Sequence, residues 1–140
     1  MKILLLVQSC ELARYPELIQ VQKETWDSVP HPDITTIFYY PHPTKRGLIG
    51  NDLYFEGEPD WINNYQNMMK AFTHILKMDW DILFKTDNTA YINKDELVKM
   101  LQDKPLHNFY GGQLYDGPNP NPVKDFLWGE GLGFSRNLVQ

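Results

Sequence analysis

The polar group Thr86-Asp87-Asn88-Thr89 follows directly on the mostly apolar run Trp80-Asp81-Ile82-Leu83-Phe84-Lys85. A strand of that kind delivers a carboxylate to a sheet edge. A strand-end carboxylate can hold a divalent cation, and such a cation neutralises charge on a departing phosphate. The same residues also support a local reading: a strand-to-helix turn in which Asp87 and Asn88 satisfy backbone donors.

The elements that must position this group read as an alternation. Lys2–Gln8 is a continuous apolar run, as expected of a central parallel strand. Tyr15–Val29 reads as an amphipathic helix with Leu18, Val21, Thr25 and Trp26 near one face. Ile34–Tyr40 is β-branched and aromatic, hence a second strand. Pro41–Gly57 is rich in turn formers and reads as loop. Asp60–Lys77 repeats Ile62, Tyr65, Met69, Phe72 and Leu76 at helical spacing. Asn93 and Glu96 form a capping-box pattern for a helix through Leu101. Asn108–Leu114 and Phe126–Phe134 read as strands, and Ser135 opens a final helix. The expectation is one α/β domain over residues 1–140, a three-layer sandwich with a mostly parallel central sheet. Ligands in such sheets sit outside the carboxyl ends of the strands, so the strand end Gln8-Ser9 and Asp87 should face one crevice.

Composition narrows the chemistry. The net charge is −5 and no basic run occurs, which argues against a nucleic-acid partner. The single cysteine, Cys10, excludes a disulfide framework and favours a reducing compartment. The opening apolar run is too short for a signal peptide, and no stretch approaches a membrane span. His31, His42, His74 and His107 show no ligand spacing. The aromatic share of 14% suits either a Tyr- and Trp-rich core or a carbohydrate site.

Three segments, in order, resemble the beta-1,3-galactosyltransferase and fringe-like glycosyltransferases. Lys85, Thr86, Asp87, Tyr91, Ile92 and Asn93 match a family motif in which a strand ends in Lys-Thr-Asp-Asp-Asp, then an aromatic, an aliphatic and Asn. The family's second and third aspartates fall on Asn88 and Thr89. Gln20–Trp26 resembles its Ile-Arg-x-Thr-Trp helix, with Lys23 at the arginine position. Gly129, Gly131, Ser135 and Arg136 match its Gly-Ala-Gly-Tyr-x-Leu-Ser-Arg segment, and Tyr110-Gly111 resembles a tyrosine–glycine pair between them.

The resemblance implies a GT-A-type fold and inverting transfer of a hexose from a UDP-sugar to a glycan or other hydroxyl acceptor. It implies a nucleotide-sugar site at Ser9, Lys70, Asp87, Asn88 and Thr89, with Mn²⁺ or Mg²⁺ on Asp87 as the one remaining aspartate. Trp128, Gly129, Glu130 and Gly131 would border the donor and acceptor sugars, with Trp128 stacking on a sugar face. The family's acidic Glu-Asp-Val-type segment, which carries its catalytic base, lies beyond the Ser-Arg helix and past Gln140. The expectation is therefore a truncated or minimal version of the fold, with Glu130 as the nearby carboxylate for that role. The absence of an anchor suggests a cytoplasmic protein in a bacterial or viral setting. The substitutions at Asn88 and Thr89 leave two rivals: a non-catalytic sugar- or nucleotide-binding domain, and an interaction module that keeps only the fold. A sheet without its last strands would also offer an edge for a homodimer.

Overall fold

The computed structural model describes residues 1–60, 62–114 and 127–140, and the side chains of 1–60, 62–112 and 131–140. Its strands are β1 (Ile3–Gln8), β2 (Ile34–His42), β3 (Gly47–Ile49), β4 (Asp52–Glu56), β5 (Ile82–Asp87), β6 (Tyr110–Leu114) and β7 (Leu127–Ser135). The helices are α1 (Tyr15–Glu24), α2 (Asn64–Ile75) and α3 (Lys94–Leu101), with a 3-10 turn at Arg136–Leu138. All seven strands form one sheet in the order β3-β4-β2-β1-β5-β7-β6.

The sheet is mixed rather than mostly parallel. Strands β4, β2, β1 and β5 run parallel, whereas β3, and β7 against both its neighbours, pair antiparallel. The central strand β1 has both faces covered. Ile3, Leu5 and Val7 join a core with Ile19 and Leu101 from α1 and α3, while Leu4 and Leu6 join Ala71, Phe72 and Ile75 of α2. Each such aliphatic side chain contributes roughly 1.5–3 kcal/mol on burial. Helices on both faces give an α/β sandwich compatible with a Rossmann-like arrangement.

Residues 41–57, expected as loop, instead contain β3 and β4, and β2 runs on to His42. The missed signal is the pair Gly50-Asn51 between two apolar runs, a hairpin turn in which Gly50 takes φ +59°. Leu53 and Phe55 then reach the α2 side of the sheet while Tyr54 reaches the other.

The helix faces also differ from expectation. On α1 the buried residues are Ile19 and Gln22, and Val21 is 55% exposed. The helix ends at Glu24, and beyond it Trp26, 4% exposed, packs inward and stacks on Phe38. On α2, Asn67, Ala71, Phe72 and Ile75 are buried, whereas Tyr65 and Met69, and Ile62 ahead of the helix, lie exposed. The expected start of α3 holds: the Asn93 side chain accepts from the Glu96 N–H at 3.1 Å.

Candidate functional site

The strand order reverses between β1 and β5. From β1 the chain steps outward to β2 and β4, then returns on the other side of β1 as β5. In open α/β sheets this reversal opens a crevice at the strands' carboxyl ends, where ligands bind. Here Gln8 and Asp87 end β1 and β5 as register partners, side by side.

A polar relay lines the α2 side. Tyr39, 1% exposed, donates its hydroxyl to Gln8 Oε1 at 3.1 Å. Gln8 Nε2 donates to Asn64 Oδ1 at 2.7 Å, so the first turn of α2 is tied to the end of β1. Burial, with the Asp87 charge adding to it, pushes the Tyr39 phenol far above its ordinary value, so it remains a neutral donor.

Asp87 sits half-buried at the end of β5. Its Oδ1 accepts from the Thr89 backbone N–H at 2.9 Å and from Thr89 Oγ1 at 2.6 Å. This is a local turn made by the carboxylate itself, and it orders Asn88 and Thr89 beside the crevice. From the opposite face, Gln22 Nε2 donates to the carbonyls of Asp87 at 3.2 Å and Ala90 at 2.7 Å. Helix α1 thereby holds the turn from behind.

The expected site residues divide. Asp87, Asn88 and Thr89 form one turn, and Gly131 pairs with Thr86 on the adjoining strand. Ser9 lies at the crevice but is 2% exposed; its N–H donates to Tyr39 O and its hydroxyl to Val7 O. It shapes the backbone there rather than presenting a free hydroxyl. Lys70 lies toward β4, where its ammonium donates to the Glu56 carbonyl at 2.7 Å. Trp128, Gly129 and Glu130 fall within β7, and the side chains of Trp128 and Glu130 lie outside the described residues.

Several family-like residues hold the fold instead. Lys23 pairs with Asp52 at 2.7 Å and lies over the Phe38 ring. Arg136 donates to the carbonyls of Leu76, Met78 and Trp80 and stacks on Trp80, closing the carboxyl end of α2. Ser135 Oγ accepts from Phe109 N–H at 2.8 Å. The glycines have partners within the chain too. A Cβ at Gly133 would lie 2.9 Å from the Phe109 ring, and one at Gly131 would lie 3.2 Å from Phe84.

A second charged cluster sits beside the crevice. Glu11 accepts from Lys45 at 2.7 Å, lies 3.1 Å from His42 Nε2, and accepts from the Tyr54 hydroxyl at 3.4 Å. The Lys45 hydrogen bond is the main cause of a Glu11 carboxyl held below its ordinary value. These contacts tie the loop after β1, in which Ala13 takes a left-handed φ of 50°, to the β2–β3 connection.

Among the described residues no group of three His, Cys, Asp or Glu side chains could hold a metal ion. Asp87 is the one charged ligand at the turn, with Oδ1 already engaged by Thr89. A divalent cation there would depend on a ligand's own phosphate oxygens for most of its coordination.

Sequence reasoning placed Gln8 at the strand end but missed Gln22, Tyr39 and Asn64. Gln22 was legible in part: it lies three residues after Ile19 and four before Trp26, on the face both bury. No family model matches the chain, and no curated protein is significantly similar to it. No helix among the described residues is long and apolar enough to cross a membrane.

Proposed function

We propose that this chain is a UDP-sugar-dependent glycosyltransferase, or the donor-binding domain of one, of GT-A type, transferring a hexose to a hydroxyl acceptor. The observation that carries this reading is the juxtaposition of Gln8 and Asp87 at the strand-order reversal. The sequence segment that resembles a diphosphate-binding motif thus lies where α/β sheets take nucleotides. The Asp87–Thr89 turn would sit by the diphosphate, and the Gln8–Tyr39–Asn64 relay would supply neutral hydrogen-bonding groups for the nucleoside. A Mn²⁺ or Mg²⁺ ion held by Asp87 and the diphosphate would neutralise the leaving group's charge. Gly131, next to Thr86, would border the donor sugar.

A second reading has its own support. Asp87 Oδ1 is satisfied within its own turn, as a fold-keeping residue would be. A non-catalytic nucleotide- or sugar-binding domain would keep this geometry and transfer nothing.

Titration calorimetry with UDP, with and without Mn²⁺, on the wild type and Asp87→Ala tests both. Mn²⁺-dependent binding that disappears in the variant supports the donor site, and subsequent transfer from a UDP-sugar supports the enzyme. UDP binding without transfer supports the second reading. A folded wild type that binds no UDP under either condition overturns the transferase reading and the nucleotide-binding form of the second.

A further inference from the structure

A separate pocket of about 350 Å³ opens between the end of β4 and the flank of α2. It is lined by Glu56, Gly57, Glu58, Gln66, Asn67 and Lys70, with Pro43 and Asn63 at its rim. Its volume falls at the low end of the roughly 300–1,000 Å³ range of small-molecule sites. Its lining does not suit an apolar ligand, since Pro43 is the one apolar side chain of any size there.

Charge excludes a strong preference for ions. Two carboxylates, Glu56 and Glu58, face one ammonium, Lys70, and Arg46 lies 3.4 Å from Glu56. The sum is close to neutral. What remains is a dense mixture of donors and acceptors from carboxamides and carboxylates. That is the chemistry that recognises several adjacent hydroxyl groups.

The pocket is also built. Asn67 is 3% exposed, and its Nδ2 donates to Glu58 O at 2.9 Å, which orients the amide at the pocket wall. A Cβ at position 57 would stand 2.6 Å from Asn67 Oδ1, so only glycine leaves that oxygen in place. The Lys70 bond to Glu56 O fixes the opposite wall.

Its position relates it to the crevice. Strands β4 and β1 are parallel to β2, so the pocket and the crevice lie at the same edge of the sheet. Strand spacing separates them by roughly 10 Å. Helix α2 joins them, with Asn64 bound to Gln8 at the crevice and Asn63, Gln66 and Asn67 at the pocket.

We propose that this pocket binds a neutral saccharide unit of the acceptor, held by hydrogen bonds from Gln66, Asn67 and Lys70 and to Glu58. This rests on the transferase reading for the word acceptor, but not for saccharide binding itself. The test is a ¹H–¹⁵N NMR titration of the intact chain with methyl β-galactopyranoside, methyl β-glucopyranoside and methyl α-mannopyranoside, each without UDP. At least one glycoside should shift the Gln66 and Asn67 side-chain amide signals and the Gly57 N–H. Gln66→Ala, at an exposed helix position, should weaken that glycoside by about tenfold, the loss of one hydrogen-bonding partner. Lys70→Met should do the same, and serves if the first variant misfolds. No shift with any of the three, unchanged affinity in a folded variant, or larger shifts with inorganic phosphate would overturn the proposal. A separate UDP titration keeps the two readings apart: glycoside binding without UDP binding leaves the pocket standing and removes the donor site.

Discussion

The Gln22 side-chain amide donates to the carbonyl of Ala90 at 2.7 Å, bracing the turn after β5 from the buried face of α1. The same Nε2 reaches Asp87 O, so one side chain satisfies two carbonyls of the candidate donor-binding turn. Replacing Gln22 with Leu leaves both without that partner. It should cost about 1–3 kcal/mol in urea denaturation at unchanged m-value. UDP affinity should fall in parallel, because the turn loses its support. A variant as stable as the wild type would show that water replaces the amide without loss.

Asp87 has a structural and a proposed ligand role, and two substitutions separate them. Asp87→Asn retains an oxygen able to accept from Thr89 N–H and Oγ1, and removes the charge. Its stability should stay within about 0.5 kcal/mol of wild type, typical of a surface change. Asp87→Ala loses the turn and should cost about 1 kcal/mol. If the carboxylate serves a cation, both variants lose Mn²⁺-dependent UDP binding; calorimetry that finds Asp87→Asn binding normally would assign Asp87 to the turn alone.

Arg136 bonds to three carbonyls around the carboxyl end of α2 and stacks on Trp80. Arg136→Met should destabilise by about 2–4 kcal/mol, the range for losing charge-assisted hydrogen bonds to partly buried acceptors. Arg136→Lys should recover less than half of that, since a single ammonium cannot reproduce the planar fork. Full recovery by lysine, read from equilibrium denaturation, would mean that charge alone matters there.

Glu11 predicts an acid-side effect. Its carboxyl is held below the ordinary value of 4.5, chiefly by the Lys45 hydrogen bond. A depressed folded-state pKa gives stability that is present above the unfolded value and lost as pH falls through the folded one. The tie between the loop after β1 and the β2–β3 connection should therefore weaken below about pH 4.5. Glu11→Gln should flatten that part of the stability–pH curve relative to wild type. Superimposable slopes for the two proteins would remove Glu11 as the source.

The sequence by itself determined five of the seven strands among the described residues, all but β3 and β4, and one cap. The apolar run Ile3–Val7 reads as a strand buried on both faces and is one, and Asn93 with Glu96 fixes the start of α3 through local hydrogen bonding. It also placed Asp87 at a strand end, because a hydrophobic run stops there. These features follow from local periodicity and short-range donors and acceptors. Tertiary structure decided which helical stripe faces inward. Apolar spacing favoured Ile62, Tyr65, Met69, Phe72 and Leu76; Phe72 is buried, yet the rest of the buried side of α2 carries Asn67, Ala71 and Ile75, with Asn67 bonded to Glu58 O and Ala71 small enough for close approach to the sheet. Gln22 was likewise drawn into the core by carbonyls more than sixty residues away in the chain. Such pairings depend on the order in which strands lie side by side, and no local window of sequence carries that information. The pairing of Gln8 with Asp87 belongs to the same class: each residue is legible as a strand end, but only the reversal of strand order between β1 and β5 makes them neighbours in one site.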